Sequence, residues 1–222
     1  MPGSGRPTSG RFVVLEGIDG VGKTTQIALL GAWLEALGVP HTLVREPGGT
    51  PVGEAIREVV LARTELDISR ESELLLILAA RAAVVRDVIR PALAGERVVV
   101  ADRYALSTLA YQVRGRGLDE DPVRRANELA TGGLVPDLSV VLDLPLDESM
   151  GRAARGRGRP DRIEREGQGF RRTVREAYLA LAESEPGVEI LSALGTPEEV
   201  HGRIRDLLEA RFPQTFQSGL EG

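Results

Sequence analysis

The stretch GIDGVGKTT, Gly17 to Thr25, is the strongest structural signal in the chain, and a short apolar run, RFVVLEG, leads directly into it. Gly17, Gly22, Lys23 and Thr24 satisfy the pattern G-x-x-x-x-G-K-[ST], which joins a strand to a helix. In such a loop, backbone N–H groups surround a phosphate, the lysine reaches the β- and γ-phosphates, and the hydroxyl holds Mg²⁺. The stretch therefore predicts a site for ATP or GTP with Mg²⁺, against the alternative of a chance match in a glycine-rich turn.

A GTPase switch protein is disfavoured, because the chain contains no N-K-x-D segment of the kind that reads guanine. Asp19, in the middle of the loop, carries a negative charge that should repel a phosphate, so it calls for a separate role. The residues expected to bind ATP are Gly17, Gly20, Val21, Gly22, Lys23, Thr24 and Thr25.

Apolar, β-rich runs alternate with helical patterns along the rest of the chain. Strands are expected at Arg11–Gly17, His41–Glu46, Arg97–Tyr104, Asp137–Leu144 and Val188–Leu191. Strands that alternate with helices form right-handed βαβ units, and hence a parallel sheet that helices cover on both faces. The predicted fold class is α/β, a three-layer phosphate-loop fold in which ligands gather at the carboxyl ends of the strands.

Composition excludes several classes of protein. The net charge of −5 gives no general attraction for nucleic acid, and the absence of Cys excludes disulfides and thiolate metal sites. The two histidines, His41 and His201, are too few for a histidine metal site, and apolar runs such as Leu74–Ala80 are too short to cross a membrane. We therefore expect a cytoplasmic protein without nucleic-acid or membrane partners.

The domain organisation is simple. One domain is expected over residues 11–213, with a flexible tail on each side of it. The tail at 1–10 is rich in Gly, Pro and Ser, and the tail at 214–222 is also expected to be flexible. A mobile lid is expected at about 152–168, because Gly156, Gly158 and Pro160 interrupt a run of arginines there. An arginine from a closing lid stabilises the negative charge of a transferred phosphoryl group. The alternative is that the arginine run is only a solvated surface. The arginines of this run are Arg152, Arg155, Arg157, Arg159, Arg162 and Arg165.

The end of the third strand, VVVADRY, carries two charged residues. Asp102 occupies the place of a metal-side acid in a phosphate-loop fold, where it acts through a water. Arg103 next to it is expected to clamp a second phosphate group, with a strand-end salt bridge as the alternative. Together with Arg103, the arginine lid indicates a small-molecule kinase, in which two phosphorylated substrates meet.

A long helix is expected over Glu71–Leu93, and its buried stripe contains one charge. Positions 74, 77, 78, 81, 84, 85 and 88 share one face, and all of them are apolar except Arg81. A buried charge needs a partner, because leaving it unpaired is costly. Arg81 therefore either forms a buried ion pair or donates to a ligand carbonyl or phosphate.

With these motifs in place, the sequence resembles the thymidylate kinases, which phosphorylate dTMP to dTDP with ATP. The resemblance runs from Phe12 to about Leu208 through FVVLEGIDGVGKTT, REPGGTPVGEAIR, LAAR, DRYALSTLAYQ, GRG, PDL and DRIE, in this order. It implies a five-stranded parallel sheet wrapped by helices, the nucleoside monophosphate kinase type of fold, and a homodimer. It also implies ATP and dTMP as substrates, with Mg²⁺.

The resemblance implies a role for each matching residue on the acceptor side. Asp19 would accept a hydrogen bond from the 3′-hydroxyl of dTMP, Arg103 would contact its phosphate, and Arg81 would donate to a thymine carbonyl. Tyr111 would pack under the deoxyribose, where a 2′-hydroxyl would clash. The residues expected to bind dTMP are Asp19, Glu46, Arg57, Ile77, Arg81, Arg103, Thr108, Tyr111 and Gln112.

The resemblance also implies the catalytic set. Lys23 keeps its loop role, and Thr24 and Asp102 are the residues expected at the metal. One branch of the family has an arginine after the loop carboxylate; here Gly20 stands there and the arginines lie in the lid, as in the largely bacterial branch. The residues expected to be catalytic are Lys23, Arg103, Arg155, Arg157 and Arg162.

One residue departs from the family pattern. Thr108 and Gln112 match residues that reach the base near N3 and O4, but the family's stacking Phe is replaced by Ile77. An aliphatic side chain keeps the apolar contact and loses base–aromatic stacking, which is worth about 1–3 kcal/mol per base in nucleic-acid binding proteins. A kinase for another nucleoside monophosphate, such as dUMP, is therefore one alternative, and a nucleotide-binding module without turnover is the other.

Overall fold

The computed structural model describes residues 10–155 and 161–216 of the chain. Its strands form one five-stranded sheet in the order β2-β3-β1-β4-β5, and every neighbouring pair is parallel. This sheet, with helices on both of its faces, confirms the predicted α/β fold class. The strands are β1 (Phe12–Glu16), β2 (His41–Arg45), β3 (Val98–Asp102), β4 (Leu138–Asp143) and β5 (Val188–Ser192).

The position of each strand follows from its side chains. The central strands β1, β3 and β4 are buried almost throughout and read as near-continuous apolar runs, whereas the edge strands β2 and β5 are partly exposed. Alternate residues of β1 enter two separate cores: Val13 and Leu15 lie in the larger one, Phe12 and Val14 in the smaller. The sheet therefore has a packed hydrophobic layer on each face.

π-helical turns continue three of the helices. The expected helix Glu71–Leu93 is observed as α3, a π-helical turn over Val85–Ile89, and α4. The other π-helical turns are Glu58–Ala62 after α2 and Leu109–Gly115 after α5. The helices are α1 (Lys23–Ala36), α2 (Pro51–Arg57), α3 (Arg70–Val84), α4 (Arg90–Ala94), α5 (Ala105–Thr108), α6 (Glu120–Thr131), α7 (Leu146–Arg155), α8 (Gln168–Ser184), α9 (Pro197–Arg211) and α10 (Pro213–Phe216).

Within the described ranges, no helix has the length and apolar character needed to cross a membrane.

The predicted C-terminal tail is wrong for its first residues. Pro213–Phe216 forms the short helix α10, and the Phe216 side chain is only 1% exposed. The Phe216 ring stacks on Trp33 of α1, with 5.5 Å between ring centroids, so burial of an aromatic pair holds this segment on the core. The domain thus extends at least to Phe216, while residues 217–222 and 1–9 of the predicted tails lie outside the described ranges.

The parallel register brings the charged segments to one edge. Leu15 of β1 and Arg45 of β2 both lie beside Asp102 of β3. The residues that follow these strands, the loop from Gly17 and the side chain of Arg103, therefore emerge next to one another. This is the edge at which parallel α/β sheets bind ligands.

Candidate active site

The phosphate loop depends on backbone shapes that only glycine adopts freely. Gly22 precedes α1 with φ +97°, in the left-handed region. A Cβ atom at Gly20, where φ is +84°, would lie 2.2 Å from the carbonyl oxygen of Ser149 in α7. The close approach of α7 therefore leaves no room for an arginine after Asp19, which explains why this chain carries glycine there.

Lys23 is buried in the mouth of the loop. Its ammonium group donates to the carbonyl oxygens of Gly17 at 3.0 Å and Ile18 at 2.9 Å. Burial lowers the pKa of Lys23, and the neighbouring charge of Arg103 lowers it further. The side chain thus lies folded against its own loop, at the start of α1, where a phosphate would accept from it.

The residues predicted at the metal lie side by side. The Thr24 hydroxyl donates to Asp102 Oδ2 across 3.2 Å, from the first turn of α1 to the end of β3. Mg²⁺ is bound in such sites by one or two protein oxygens together with phosphates and waters. A hydroxyl and a carboxylate at the loop fit that chemistry.

The loop opens into a cleft of about 1460 Å³. Pockets for one small ligand measure roughly 300–1,000 Å³, so this cleft has room for more than one. Its far wall includes Arg152 of α7 together with Gly195 and Pro197 at the start of α9. Among the predicted ATP-binding residues, Gly17 does not line the cleft, because its carbonyl oxygen turns inward to accept from Lys23 and Arg103.

Arg103 has a left-handed backbone, with φ +74°, which is uncommon for a residue other than glycine. Its Nη1 donates to the Gly17 carbonyl at 2.9 Å and to the Tyr178 hydroxyl at 3.2 Å. Its Nη2 donates to Asp19 at 2.5 Å and to the Tyr111 hydroxyl at 3.2 Å. A backbone strained in this way persists only where its surroundings hold it, and such residues cluster at functional sites.

The ion pair of Asp19 with Arg103 resolves the apparent conflict of an acid in a phosphate loop. Burial opposes ionisation of Asp19, but the charges of Arg103 and Lys23 outweigh it, so the pKa of Asp19 is lowered. The carboxylate is therefore ionised at neutral pH and points toward Arg103. Asp19 lines the cleft and also a second cavity that adjoins it.

A second, smaller cavity adjoins the cleft, and every residue predicted to bind dTMP lines it. Four of these residues, Asp19, Glu46, Arg57 and Arg103, line the cleft as well, so the two cavities meet at a strip of charged side chains. The set, gathered from five separate stretches of sequence, is Asp19, Glu46, Arg57, Ile77, Arg81, Arg103, Thr108, Tyr111 and Gln112.

Arg81 forms the buried ion pair that was one of its two expected roles. Its Nε donates to Glu46 at 2.6 Å, and both side chains are almost completely buried. Nη1 donates to Thr108 at 2.6 Å and to Asn127 at 2.5 Å, and Nη2 to the Tyr104 carbonyl at 2.9 Å. Since a guanidinium has five N–H groups, the described partners leave one on Nη2 for a ligand in the cavity.

Burial raises the pKa of Glu46 to about 7, against the attraction of Arg81. One of its carboxylate oxygens accepts from Arg81, whereas the other is buried without a hydrogen-bond partner among the described residues. Among the described residues, Arg81 alone pairs with Glu46, so the loss of either side chain would leave the other buried and unpaired.

The structure describes only some of the predicted lid arginines. Arg155 is the last residue of α7, but its side chain lies outside the described residues, as does all of Arg157. Arg162 lines neither cavity: its guanidinium donates to Glu73 and to the Val60 carbonyl, and its backbone N–H to Leu61. An ion pair with a buried carboxylate thus holds Arg162 against α3 in this structure, and its catalytic role stays a prediction.

Several contacts of the site were missed by sequence reasoning. Glu16 in β1 is fully buried and accepts from Ser107 and Tyr178, which also contact Arg103. Burial raises the pKa of Glu16, which the donors that surround it oppose. The sequence did offer a signal for Glu16, because it is a charged residue inside an apolar strand. Arg171 of α8, which lines the cleft, had no signal in its local pattern.

These features define a phosphate-loop kinase of the nucleoside monophosphate class. They are a parallel sheet, a phosphate loop with a hydroxyl and an acid beside it, and an adjoining cavity with an arginine at the junction. A family model described as thymidylate kinase matches residues 15–204. The chain therefore belongs to the thymidylate kinase family, as the resemblance predicted.

Individual relatives agree with this membership. The chain is 44% identical to a thymidylate kinase of Desulforudis audaxviator, over 96% of this chain and 99% of that protein. It is 48% identical to one of Pseudomonas syringae pv. tomato, over 90% and 95%. The crystal structure of thymidylate kinase from Ehrlichia chaffeensis is similar with a TM-score of 0.73 and 28% identity, over 90% of this chain and 99% of that one.

Proposed function

We propose that this protein transfers the γ-phosphoryl group of ATP to dTMP and releases dTDP and ADP. The observation that carries the proposal is the junction of the two cavities. The phosphate loop lies on one side, the predicted acceptor residues lie on the other, and Arg57 and Arg103 line both. Two phosphate groups that meet there would be held next to Lys23.

The proposed mechanism is in-line transfer without a general base, because the attacking oxygen of the dTMP phosphate is already anionic. Catalysis then consists of positioning the two substrates and of neutralising their charge. Lys23 would hold the β- and γ-phosphates, and Arg103 would hold the acceptor phosphate in line with them. Mg²⁺, bound by Thr24 and Asp102 with the ATP phosphates, would supply further positive charge. Arg155, Arg157 and Arg162 stay predicted donors of charge from the lid.

The test is a panel of nucleoside monophosphates assayed with ATP and Mg²⁺, in which ADP release is measured. We expect the highest kcat/KM with dTMP. A higher kcat/KM with dUMP or a ribonucleotide would mean that this nucleotide, and not dTMP, is the preferred substrate. Nucleotide binding without ADP release from any member would instead identify a non-catalytic binding module.

Asp19→Asn is expected to damage use of dTMP and to spare ATP. The asparagine keeps the shape of the side chain but loses the charge that pairs with Arg103 and would accept from the sugar hydroxyl. Hydrogen bonds to charged groups contribute roughly 1.5–3 kcal/mol, so we expect kcat/KM for dTMP to fall about 10- to 100-fold. Steady-state kinetics with each substrate varied in turn measures both values.

A matched control for this variant is Glu54→Gln, which removes an exposed carboxylate from the wall of the cleft. We expect it to leave both KM values close to those of the wild type. An equal loss of ATP and dTMP affinity in Asp19→Asn would show that Asp19 supports the loop rather than the acceptor.

Ile77→Phe is expected to lower KM for dTMP. Ile77 lines the acceptor cavity near Thr108 and Gln112, so a ring at this position would restore stacking on the base. A several-fold decrease corresponds to the lower end of the stacking energy, about 1 kcal/mol. An unchanged or raised KM, measured with ATP saturating, would mean that Ile77 does not face the base.

We also propose that the protein is a homodimer in the cytoplasm. Large apolar side chains are exposed on neighbouring helices, Leu75 on α3 at 64% and Leu129 on α6 at 85%, and a partner subunit would cover such surfaces. The absence of Cys from the sequence is in keeping with a reducing compartment. Light scattering coupled to gel filtration would give the mass in solution, and a monomeric mass would reject the dimer.

A further inference from the structure

Glu73 is a buried carboxylate that no predicted role uses. It lies in the first turn of α3, is 1% exposed, and joins two segments distant in sequence. Gln112 Nε2 donates to it at 2.8 Å, Arg116 donates from Nε at 3.2 Å and Nη2 at 3.1 Å, and Arg162 donates from Nη2. These four hydrogen bonds hold the Glu73 carboxylate in one position beside Gln112, which lines the acceptor cavity.

The charge of Glu73 determines which way the Gln112 amide faces. Burial opposes ionisation, but the hydrogen bonds from Arg116, Gln112 and Arg162 outweigh it, so the pKa of Glu73 is lowered. An ionised carboxylate accepts hydrogen bonds and cannot donate them. Only the NH₂ end of the Gln112 amide can therefore face Glu73, and this leaves the carbonyl oxygen for a donor on the side of the cavity.

Gln112 is almost fully buried and lines the acceptor cavity together with Ile77 and Thr108. Pyrimidine bases differ at the edge that such an amide would meet. Thymine and uracil carry a hydrogen on ring N3, whereas cytosine has an unprotonated N3 acceptor there. A fixed carbonyl oxygen pairs with the N3–H of the first two and repels the lone pair of cytosine.

We propose that Glu73 is a positioning residue that locks the Gln112 amide with its carbonyl oxygen toward the acceptor base, and so restricts the site to pyrimidines with a hydrogen on N3. This inference rests on the proposed function, since it assigns a base to the acceptor cavity. It names the cause of discrimination between thymine and cytosine, which is a carboxylate that never touches the substrate.

The test is Glu73→Gln, assayed with dTMP, dUMP and dCMP. A glutamine at 73 can donate as well as accept, so the Gln112 amide becomes free to turn its NH₂ group toward the cavity. We expect the ratio of kcat/KM for dTMP to that for dCMP to fall about tenfold or more, the size of one base-edge pairing. The change should arise mainly in KM, whereas KM for ATP stays the same.

The ratio of dTMP to dUMP is an internal control. Both bases carry N3–H, so this ratio should stay within about twofold of the wild-type value while the ratio to dCMP falls. A general loosening of the cavity, as expected from a merely structural role, would change both ratios or neither. Either of those results in a folded variant overturns the proposal.

Arg116→Gln is the matched control variant. It removes two hydrogen bonds to Glu73, one of which is also an ion pair, but leaves the hydrogen bond that Gln112 donates to Glu73. Thermal denaturation should show a comparable loss of stability, whereas the dTMP to dCMP ratio should remain that of the wild type. A fall of the ratio in this variant as large as that in Glu73→Gln would assign the effect to stability and reject positioning.

A double variant separates Glu73 from Gln112. If Glu73 acts through Gln112, adding Glu73→Gln to Gln112→Met should not change the dTMP to dCMP ratio further. If Glu73→Gln does not fold, Glu73→Asp keeps the charge and withdraws it from the amide, and its ratio should fall in the same direction. An unaltered ratio in Glu73→Asp then rejects the proposal. Wild-type protein that does not phosphorylate dTMP rejects the proposed function itself, which is a separate outcome.

Discussion

Arg103→Ala is expected to lower kcat about 10³-fold, the lower end of what an arginine supplies in phosphoryl transfer. The guanidinium lies at the junction of the two cavities, where an acceptor phosphate would meet the γ-phosphate. Its contacts with Gly17, Asp19, Tyr111 and Tyr178 already fix its position, so little order has to be gained when substrates bind. Single-turnover measurements with both substrates saturating would report the loss in the chemical step.

Two further variants make the result interpretable. Arg103→Lys keeps the charge and loses the planar fork, so we expect it to recover only part of the rate. Arg45→Ala removes an exposed arginine from the wall of the same cleft and should leave kcat close to wild type. A kcat within about tenfold of wild type in Arg103→Ala would remove Arg103 from the mechanism, since even one transition-state donor is worth about 10²-fold or more.

Arg81→Met is expected to destabilise the fold by about 3–5 kcal/mol, because it leaves the buried Glu46 carboxylate without its cation. For a domain of this size, a loss of 1 kcal/mol lowers Tm by about 2–4 °C. The Asn127 and Tyr104 oxygens also lose their donor. Thermal and urea denaturation would measure the change.

The loss of stability in Arg81→Met should grow as the pH rises. Burial already raises the pKa of Glu46, and removing Arg81 removes the attraction that opposes this. A carboxyl whose pKa is raised on folding binds its proton more tightly in the folded state, so the variant keeps stability at low pH and loses it as pH rises. Arg81→Met should therefore be more destabilised relative to wild type at pH 8 than at pH 5.

Arg86→Met is the matched control, since Arg86 lies just after α3 and its side chain is 78% exposed. Surface substitutions of this kind stay within about 0.5 kcal/mol of wild type. Combining Arg81→Met with Glu46→Gln should recover part of the stability, because the buried charge is then removed. An Arg81→Met protein as stable as Arg86→Met would mean that the ion pair contributes nothing.

The sequence alone determined the features that local pattern encodes. The strand, loop and helix around Gly17–Thr25 follow from the order of apolar residues, glycines and the Lys23–Thr24 pair. The parallel sheet follows from the alternation of strands and helices, and the burial of Arg81 follows from its place on an apolar stripe. These statements need only the periods of helix and strand, so the chain itself carries them.

Only the tertiary structure decided which side chains meet. Glu46 lies 35 residues from Arg81, and Gln112 lies 39 residues from Glu73, so no local period links either pair. The same holds for the left-handed backbone of Arg103, for the ion pair of Arg162 with Glu73, and for Phe216 on Trp33. Packing selects one partner among many chemically possible ones, because each buried charge or ring must satisfy its contacts within the space that neighbouring elements leave.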